Sequence, residues 1–349
     1  MYFNGTDHKT VFILGAGATR GAVGHVLVNR KRLRPPLNSD FFKVAETFGR
    51  ARGATSLAAR RLGQLKQLFK TDLAIKGTPS MEDAFSLLYV ANDLPDIYRR
   101  RPGPKPQPGK MRELQYFLDL VFQILCALEN NSAQENGYDR LVSRLGPRDT
   151  IISLNYDTLL DSALVNAGWD PRSGYCLTGE STGKCKWRSP RDEANLSGIR
   201  LLKLHGSLNW FVRGTLANIS EVFEKKPVRV TKPRSNGMSN HMRQIIPPIY
   251  GKVFRHAHWR QLWRSAYEGL CQADTLVVIG CSLVDTDFHL RALISRVRRE
   301  RKEDKRPFRR AFFVDRSLPI RRKWIRSWKG TVKRMSHVKE FNNFLRTEL

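Results

Sequence analysis

Residues 10–21 read Thr-Val-Phe-Ile-Leu-Gly-Ala-Gly-Ala-Thr-Arg-Gly, and this stretch decides the fold that the chain predicts. Its apolar start is typical of a fully buried strand in a parallel sheet. The strand passes directly into a glycine-rich turn, and a helix is expected after it. This order indicates an α/β protein in which backbone N–H groups at the start of a helix can bind a phosphate.

Four more apolar runs have the same strand character, at residues 151–154, 201–204, 275–279 and 311–314. We expect the run at 311–314 to be the last strand. Helical patterns alternate with these runs, so the chain predicts a single domain over residues 1–349 with a Rossmann-like parallel sheet and helices on both faces. Ligands bind at the carboxyl ends of the strands in such sheets, and we expect the site there.

Residues 38–146 are expected to form a helical insertion in this domain. Within it, apolar residues from Leu114 to Leu128 recur at helical spacing, which is typical of an amphipathic helix that packs on a core. Two later segments, 170–198 and 213–243, lack strong periodicity. The first is predicted to be irregular, and the second to be a loop or short hairpin over the site.

The net charge of +29 is large for a chain of 349 residues. Residues 291–334 hold 18 Lys or Arg against four Asp or Glu, a balance of 18 − 4 = +14, and define a basic C-terminal region at 291–349. One interpretation is a solvated surface that aids solubility. The other is a docking surface for nucleic acid or an acidic protein.

The cysteines and the apolar runs exclude several classes of protein. Five cysteines without CxxC spacing argue against a disulfide framework and a zinc ribbon. No apolar run reaches 18 residues, so no membrane span is expected. The first residues lack the order of a signal peptide, and a cytoplasmic location is the expectation.

A histidine follows the strand at 201–204, in the sequence Leu204-His205-Gly206-Ser207. Histidine titrates near neutral pH and can act as a general base at a strand end. A buried histidine with both ring nitrogens hydrogen-bonded is the alternative. These residues alone leave the two interpretations about equally supported.

Four motifs together resemble the SIR2-like family of NAD-using proteins: GAGAT at 15–19, SLNYD at 153–157, LHGSLNW at 204–210 and GCSLVDTD at 280–287. The segment PPLNSDFF at 35–42 is also similar. The chain looks most like the bacterial branch associated with antiphage defence. That resemblance implies NAD+ as the substrate, a homo-oligomer, and a partner such as a HerA-type ATPase or a short Argonaute.

The resemblance also assigns roles to individual residues. It places the family's catalytic residues at Asn155 and His205, with no metal required. The residues expected to bind the dinucleotide are Gly15, Ala16, Gly17, Ala18, Thr19, Arg20, Asp157, Gly280, Ser282 and Asp315. Arg20 would contact the pyrophosphate and Asp315 the adenosine ribose. Asp157 would bind ribose or cap a helix, and for Asp285 and Asp287 a capping role is preferred.

Three functions follow as hypotheses. The first is an NAD+ glycohydrolase that acts as an effector of abortive-infection defence and is weakly active until a partner or assembly activates it. The second is an NAD-dependent protein deacylase, which is disfavoured because the chain lacks the four-cysteine zinc module of sirtuins. The third is a non-catalytic module that senses a nucleotide or nucleic acid.

Overall fold

A computed structural model of the chain describes residues 8–71, 77–93, 112–133, 135–175, 177–179, 185–187, 198–213, 221–224, 241–246 and 257–349. Its largest sheet has six parallel strands: β1 (Thr10–Leu14), β4 (Thr150–Ser153), β7 (Arg200–Lys203), β11 (Thr275–Ile279), β12 (Phe308–Val314) and β13 (Val332–Val338). The strand order is β13-β12-β11-β1-β4-β7. The predicted Rossmann-like parallel sheet is therefore confirmed.

The central strands are buried because both faces of the sheet are covered. Every residue of β1, β4 and β11 is buried, as their continuous apolar sequences predict. Parallel registry pairs Val11 with Leu276 and Phe12 with Ile151, so these strands end at a common edge. That edge carries the loops that follow Leu14, Ser153 and Ile279.

The helices of the described residues are α1 (Ala16–Val23), α2 (Phe41–Arg52), α3 (Leu57–Thr71), α4 (Met81–Asp93), α5 (Arg112–Asn131), α6 (Gly137–Val142), α7 (Leu159–Asn166), α8 (Pro171–Gly174), α9 (Ala257–Gln272), α10 (Phe288–Glu303), α11 (Leu318–Ser327) and α12 (Phe341–Thr347). In the part of the chain that the structure describes, no helix is both long and apolar enough to span a bilayer.

Helices α2 to α5 form a second hydrophobic core beside the sheet. The short hairpin of β2 (Val26–Val28) and β3 (Lys31–Leu33) joins it. Phe42 stacks on Phe117, and Phe85 meets Phe117 edge to face. Tyr156 and Leu208, which flank the candidate catalytic residues in sequence, are buried in this same cluster. Helices α2 to α5, called the helical segment below, therefore pack directly against the loops that carry the site.

A second sheet was not predicted from the sequence. It is antiparallel, with the order β10-β8-β9-β6-β5, and its strands are β5 (Leu177–Gly179), β6 (Cys185–Trp187), β8 (Gly206–Arg213), β9 (Glu221–Glu224) and β10 (His241–Ile245). The prediction that 170–198 is irregular was wrong at α8, β5 and β6, because elements of three or four residues give too little periodicity to recognise. The remainder of 180–197 and of 214–240 lies outside the described residues.

The prediction that 311–314 forms the last strand was also wrong. Strand β13 follows α11 and pairs in parallel with β12, with Phe308 opposite Val332. It is an edge strand, and Lys333 and Arg334 are exposed on it. Its sequence mixes charged and apolar residues, which hides an edge strand from a search for buried runs.

Candidate functional site

A cavity of about 860 Å³ lies at the carboxyl ends of the parallel strands. Eleven of the residues selected from the sequence line it: Gly15, Ala16, Gly17, Thr19, Arg20, Asn155, Asp157, His205, Gly280, Ser282 and Asp315. Ala18 is fully buried behind the glycine turn and is not among the lining residues. The volume falls within the range of about 300–1,000 Å³ that is usual for small-molecule sites.

Two glycine-containing loops touch backbone to backbone at the floor of this cavity. The amide of Gly17 donates a hydrogen bond to the carbonyl of Gly280 over 2.9 Å. A Cβ atom on Gly17 would lie 2.7 Å from the Cα of Gly280. Gly280 itself has a φ of +56°, and a Cβ there would lie 2.2 Å from the Ala18 nitrogen. Only glycine fits at these two positions, and their approach brings the start of α1 to the cavity.

The side chain of Asn155 is fixed in place beside the glycine turn. Its Nδ2 donates hydrogen bonds of 3.0 Å to the carbonyl of Gly15 and of 3.0 Å to Thr19 Oγ1. Its Oδ1 is then the remaining acceptor of the amide group. Thr19 is in turn held by Tyr138, whose hydroxyl lies 2.8 Å from Thr19 Oγ1. Asn155 is thus a rigid polar group on the cavity wall.

Asp157 has structural partners, although it also lines the cavity. Its Oδ2 accepts a hydrogen bond of 3.0 Å from Thr19 Oγ1, and its Oδ1 accepts one of 3.3 Å from the Leu159 amide. Burial raises the pKa of this carboxyl, and the charge of Lys203 opposes that shift. The sequence left two roles open for Asp157, ribose binding and helix capping. The structure shows the second kind of contact, because Asp157 accepts a hydrogen bond from the first residue of α7.

The buried Lys203 binds the loop that contains Asp157, and it was not selected from the sequence. Lys203 Nζ donates to the carbonyl of Asp157 at 2.5 Å and forms an ion pair with Asp161 at 3.1 Å. Tyr175 also donates its hydroxyl proton to Asp161. Lys203 and Asp161 are almost completely buried, so each neutralises the other away from water. A lysine inside the apolar run Leu201–Leu204 was the available signal.

Glu129, at the end of α5, joins the helical segment to the same loop. Its two carboxylate oxygens accept hydrogen bonds from the Thr158 amide at 2.7 Å and from Thr158 Oγ1 at 3.0 Å. Burial raises the pKa of Glu129 to about 7, although the bonds from Thr158 favour the charged form. The position of the loop after Asn155 therefore depends on contacts from both hydrophobic cores.

His205 lies in the turn between β7 and β8, and its side chain contacts a carboxylate, which was not predicted. Its Nε2 is 2.9 Å from Oδ2 of Asp287, and both side chains are buried. Asp287 also caps α10, because its side chain accepts a hydrogen bond from the Leu290 amide. The capping role preferred from the sequence is therefore present at Asp287, where the contact with His205 adds to it. For Asp285 that preference was wrong, because its carboxylate pairs with Arg291 and Lys323 instead.

Arg20 is engaged by the protein itself. Its guanidinium nitrogens lie 2.7 and 2.8 Å from the two carboxylate oxygens of Asp40, and its Nε donates to the Pro35 carbonyl at 2.7 Å. Arg20 lines the cavity, but its charge is balanced by Asp40. Arg20 therefore holds the segment from Pro35 to Asp40 beside the cavity. The sequence did not predict this contact, because it joins residues that are far apart in the chain.

Asp315 and Ser282 complete the lining at the ends of β12 and β11. Asp315 is half-buried, and its Oδ1 accepts a hydrogen bond of 2.7 Å from the Ser317 amide. Burial raises the pKa of the Asp315 carboxyl. Ser282 is exposed on the cavity wall. Among the described residues, no group of three or more His, Cys, Asp or Glu is arranged to hold a metal ion.

The fold and the cavity define an α/β protein with a ligand site at the carboxyl edge of a parallel sheet. The model of the SIR2-like domain family matches residues 149–332, more than half of the chain, and the chain belongs to that family. No curated protein matches it significantly.

Two solved structures illustrate the comparison with known folds. A Sir2 homologue in complex with NAD is 10% identical, with a TM-score of 0.41, over 97% of this chain and 86% of the other. A mutant Sir2 homologue in complex with ADP-ribose is 12% identical, with a TM-score of 0.42, over 97% of this chain and 90% of the other. The family assignment depends on the family model alone.

Proposed function

We propose that this chain is an NAD+ glycohydrolase that cleaves the bond between nicotinamide and ribose, releasing nicotinamide and ADP-ribose. One observation carries the proposal: Asn155 and His205 line the same cavity as the glycine loops at the start of α1. A site with a phosphate cradle, a fixed amide and a histidine suits hydrolysis of a dinucleotide.

The chemistry requires little acid catalysis. When the C–N bond breaks, its electron pair passes to the cationic pyridinium ring, and nicotinamide leaves as a neutral molecule. The remaining difficulty is to stabilise an oxocarbenium-like ribose and to deliver water to it. Asn155, fixed through its Nδ2, would orient the water or a ribose hydroxyl with Oδ1. His205 would accept the proton that the attacking water loses.

The rest of the cavity fits the remainder of the dinucleotide. Gly15, Ala16 and Gly17 would place the pyrophosphate at the amino end of α1, where backbone N–H groups and the helix dipole favour a negative charge. Asp315, at the end of β12, would accept hydrogen bonds from the adenosine ribose hydroxyls. Arg20 would act on the pyrophosphate only indirectly, because Asp40 already binds its guanidinium.

The decisive experiment incubates the purified chain with NAD+, with and without a candidate partner, and measures nicotinamide and ADP-ribose. A second arm adds an acetyl-lysine peptide. Release of both products without peptide supports the proposal. Release that requires the peptide identifies a deacylase instead. Tight binding of NAD+ without products in any arm identifies a sensing module.

Gly280→Ala tests the placement of the dinucleotide. The new Cβ would lie 2.2 Å from the Ala18 nitrogen, at a φ of +56°, so the two loops must separate. We expect binding of ADP-ribose, measured by calorimetry, to weaken by at least about tenfold, a change of about 1.4 kcal/mol. Gly330→Ala is the matched control: its φ is +80°, but its neighbour is the flexible end of Lys302. Equal affinity in both variants would contradict the placement.

We also propose a cytoplasmic role in abortive-infection defence, in which a partner activates the enzyme. An enzyme that always consumed NAD+ would harm its own cell. The charge of +29, concentrated in the basic C-terminal region, suits an acidic partner or nucleic acid. The partners to test are a HerA-type ATPase, a short Argonaute with its nucleic acid, and further copies of this chain.

We expect the isolated chain to turn over NAD+ about a hundredfold more slowly than its activated complex. Such a change requires the partner to bind the active state more tightly by about 3 kcal/mol. The measurement compares turnover by the lone chain with turnover in each complex, at equal protein concentration and ionic strength. A lone monomer with full turnover would exclude this form of control.

A further inference from the structure

The contact between His205 and Asp287 gives Asp287 a role beyond the cap of α10. We propose that Asp287 is a positioning residue that acts through His205, holding the imidazole so that Nδ1 is the nitrogen that accepts a proton. This role rests on the NAD+ cleavage proposed above, and it names the group that controls the general base. Asp287 is the last residue of the motif at 280–287, and the sequence associated it only with capping.

The geometry selects one form of the histidine ring. Nε2 of His205 lies 2.9 Å from Oδ2 of Asp287, which is a hydrogen-bonding distance. A carboxylate only accepts hydrogen bonds, so the proton between the two atoms belongs to Nε2 when the ring is neutral. Nδ1 is then the unprotonated nitrogen. The side chains are 5% and 1% exposed, so water competes little for this contact.

Asp287 is itself held on a rigid element. Its Oδ1 accepts the hydrogen bond of 3.4 Å from the Leu290 amide at the start of α10, while its Oδ2 faces His205. The backbone of His205 is fixed as well, because its carbonyl accepts a hydrogen bond of 2.8 Å from the Ile246 amide. Both partners therefore keep a constant separation, as a general base and its orienting group require.

Two ionisable groups near the pair, Tyr156 and Cys281, are neutral at the pH of an assay because burial raises the pKa of each. The ring of Tyr156 lies 6.4 Å from that of His205, and burial raises the pKa of Tyr156 well above its ordinary value. Cys281 interacts with Asp287, and burial raises the pKa of its thiol to about 12. Electrostatic interactions with Tyr89 and Glu82, both on α4, also raise the pKa of Tyr156. Asp287 is an acidic group in direct contact with His205.

Asp287→Asn tests the role while keeping the helix cap, because asparagine caps helices as well as aspartate does. The variant removes the charge that favours the protonated ring and fixes the tautomer. We expect kcat for NAD+ cleavage to fall by about 10²-fold or more, with KM within about threefold of wild type. The acidic limb of the pH–kcat profile should move to lower pH, because the ring releases its proton more readily without the carboxylate.

Asp285→Asn is the matched control. Asp285 lies two residues before Asp287. It is exposed, and it pairs with Lys323 and Arg291 at the surface. We expect it to keep the wild-type kcat and pH profile. An Asp287→Asn enzyme with wild-type kcat and an unshifted acidic limb would overturn the positioning role.

A readout that needs no turnover separates this inference from the proposed function. Nitrogen-15 NMR of the histidine rings, with His205 assigned by its loss in His205→Gln, reports the tautomer directly. We expect a proton on Nε2 in the wild type and a mixture of tautomers in Asp287→Asn. A wild-type ring protonated on Nδ1, or an identical titration in both proteins, would refute the role of Asp287. Absence of NAD+ cleavage by the wild type both alone and in every complex tested would refute the proposed function alone. If the variant does not fold, the wild-type spectrum still decides the tautomer.

Discussion

Substitution of either candidate catalytic residue by alanine is expected to remove most of the NAD+ cleavage of the activated protein. His205→Ala removes the proton acceptor, which is worth about 10²–10⁴-fold in rate. Asn155→Ala removes a preorganised polar group, for which about 10²–10³-fold is typical. The two losses should not multiply, because both residues act on the same ribose and water. Single-turnover release of nicotinamide is the measurement.

Two matched substitutions make this result specific. Asn131→Ala removes an exposed asparagine whose side chain donates a hydrogen bond to the nearby Ala127 carbonyl. His337→Ala removes an exposed histidine on the edge strand β13. Both should retain the wild-type rate. Full turnover in both Asn155→Ala and His205→Ala, with the fold verified by circular dichroism, would place the chemistry elsewhere.

Lys203→Met is expected to have the largest effect on stability. It leaves the buried carboxylate of Asp161 without its counter-charge and the Asp157 carbonyl without a donor. Breaking one side of a buried ion pair costs about 3–5 kcal/mol. Urea denaturation should show this loss in the free energy of unfolding.

The double variant Lys203→Met with Asp161→Leu shows whether the cost comes from the unpaired charge. Replacing both partners by apolar residues should recover much of the loss, since no charge then remains buried. Arg264→Met breaks the exposed pair with Glu268 and should leave the unfolding free energy close to wild type. A Lys203→Met protein as stable as this control would show that the buried pair contributes little.

The sequence predicted the part of the fold that depends on continuous burial. Strands β1, β4, β11 and β12 have apolar runs because both faces of the parallel sheet are covered, and each run ends in glycine or polar residues. Those endings identified residues that line the cavity at the strand ends, among them Gly15, Asn155 and Gly280. Edge strand β13 and the antiparallel sheet were missed, because half-exposed or very short strands carry no such run.

The candidate site was predicted residue by residue, but its contacts were not. The sequence shows that His205 and Asp287 both follow strands, yet it does not show which carboxylate reaches the imidazole. Arg20 was expected at a phosphate, and its pairing with Asp40 depends on how the segment at 34–40 folds back over α1. Lys203 was overlooked because a lysine in an apolar run has meaning only once a buried acid is found beside it.

Strand β13 has a consequence for aggregation. An edge strand presents unpaired backbone groups that can recruit another chain into a continuous sheet. Here Lys333 and Arg334 are exposed along that edge, so a second copy that added its own β13 would bring like charges close together. Growth of the sheet from chain to chain is therefore disfavoured at this edge. The basic residues that suit an anionic partner also keep folded copies from polymerising through their backbones.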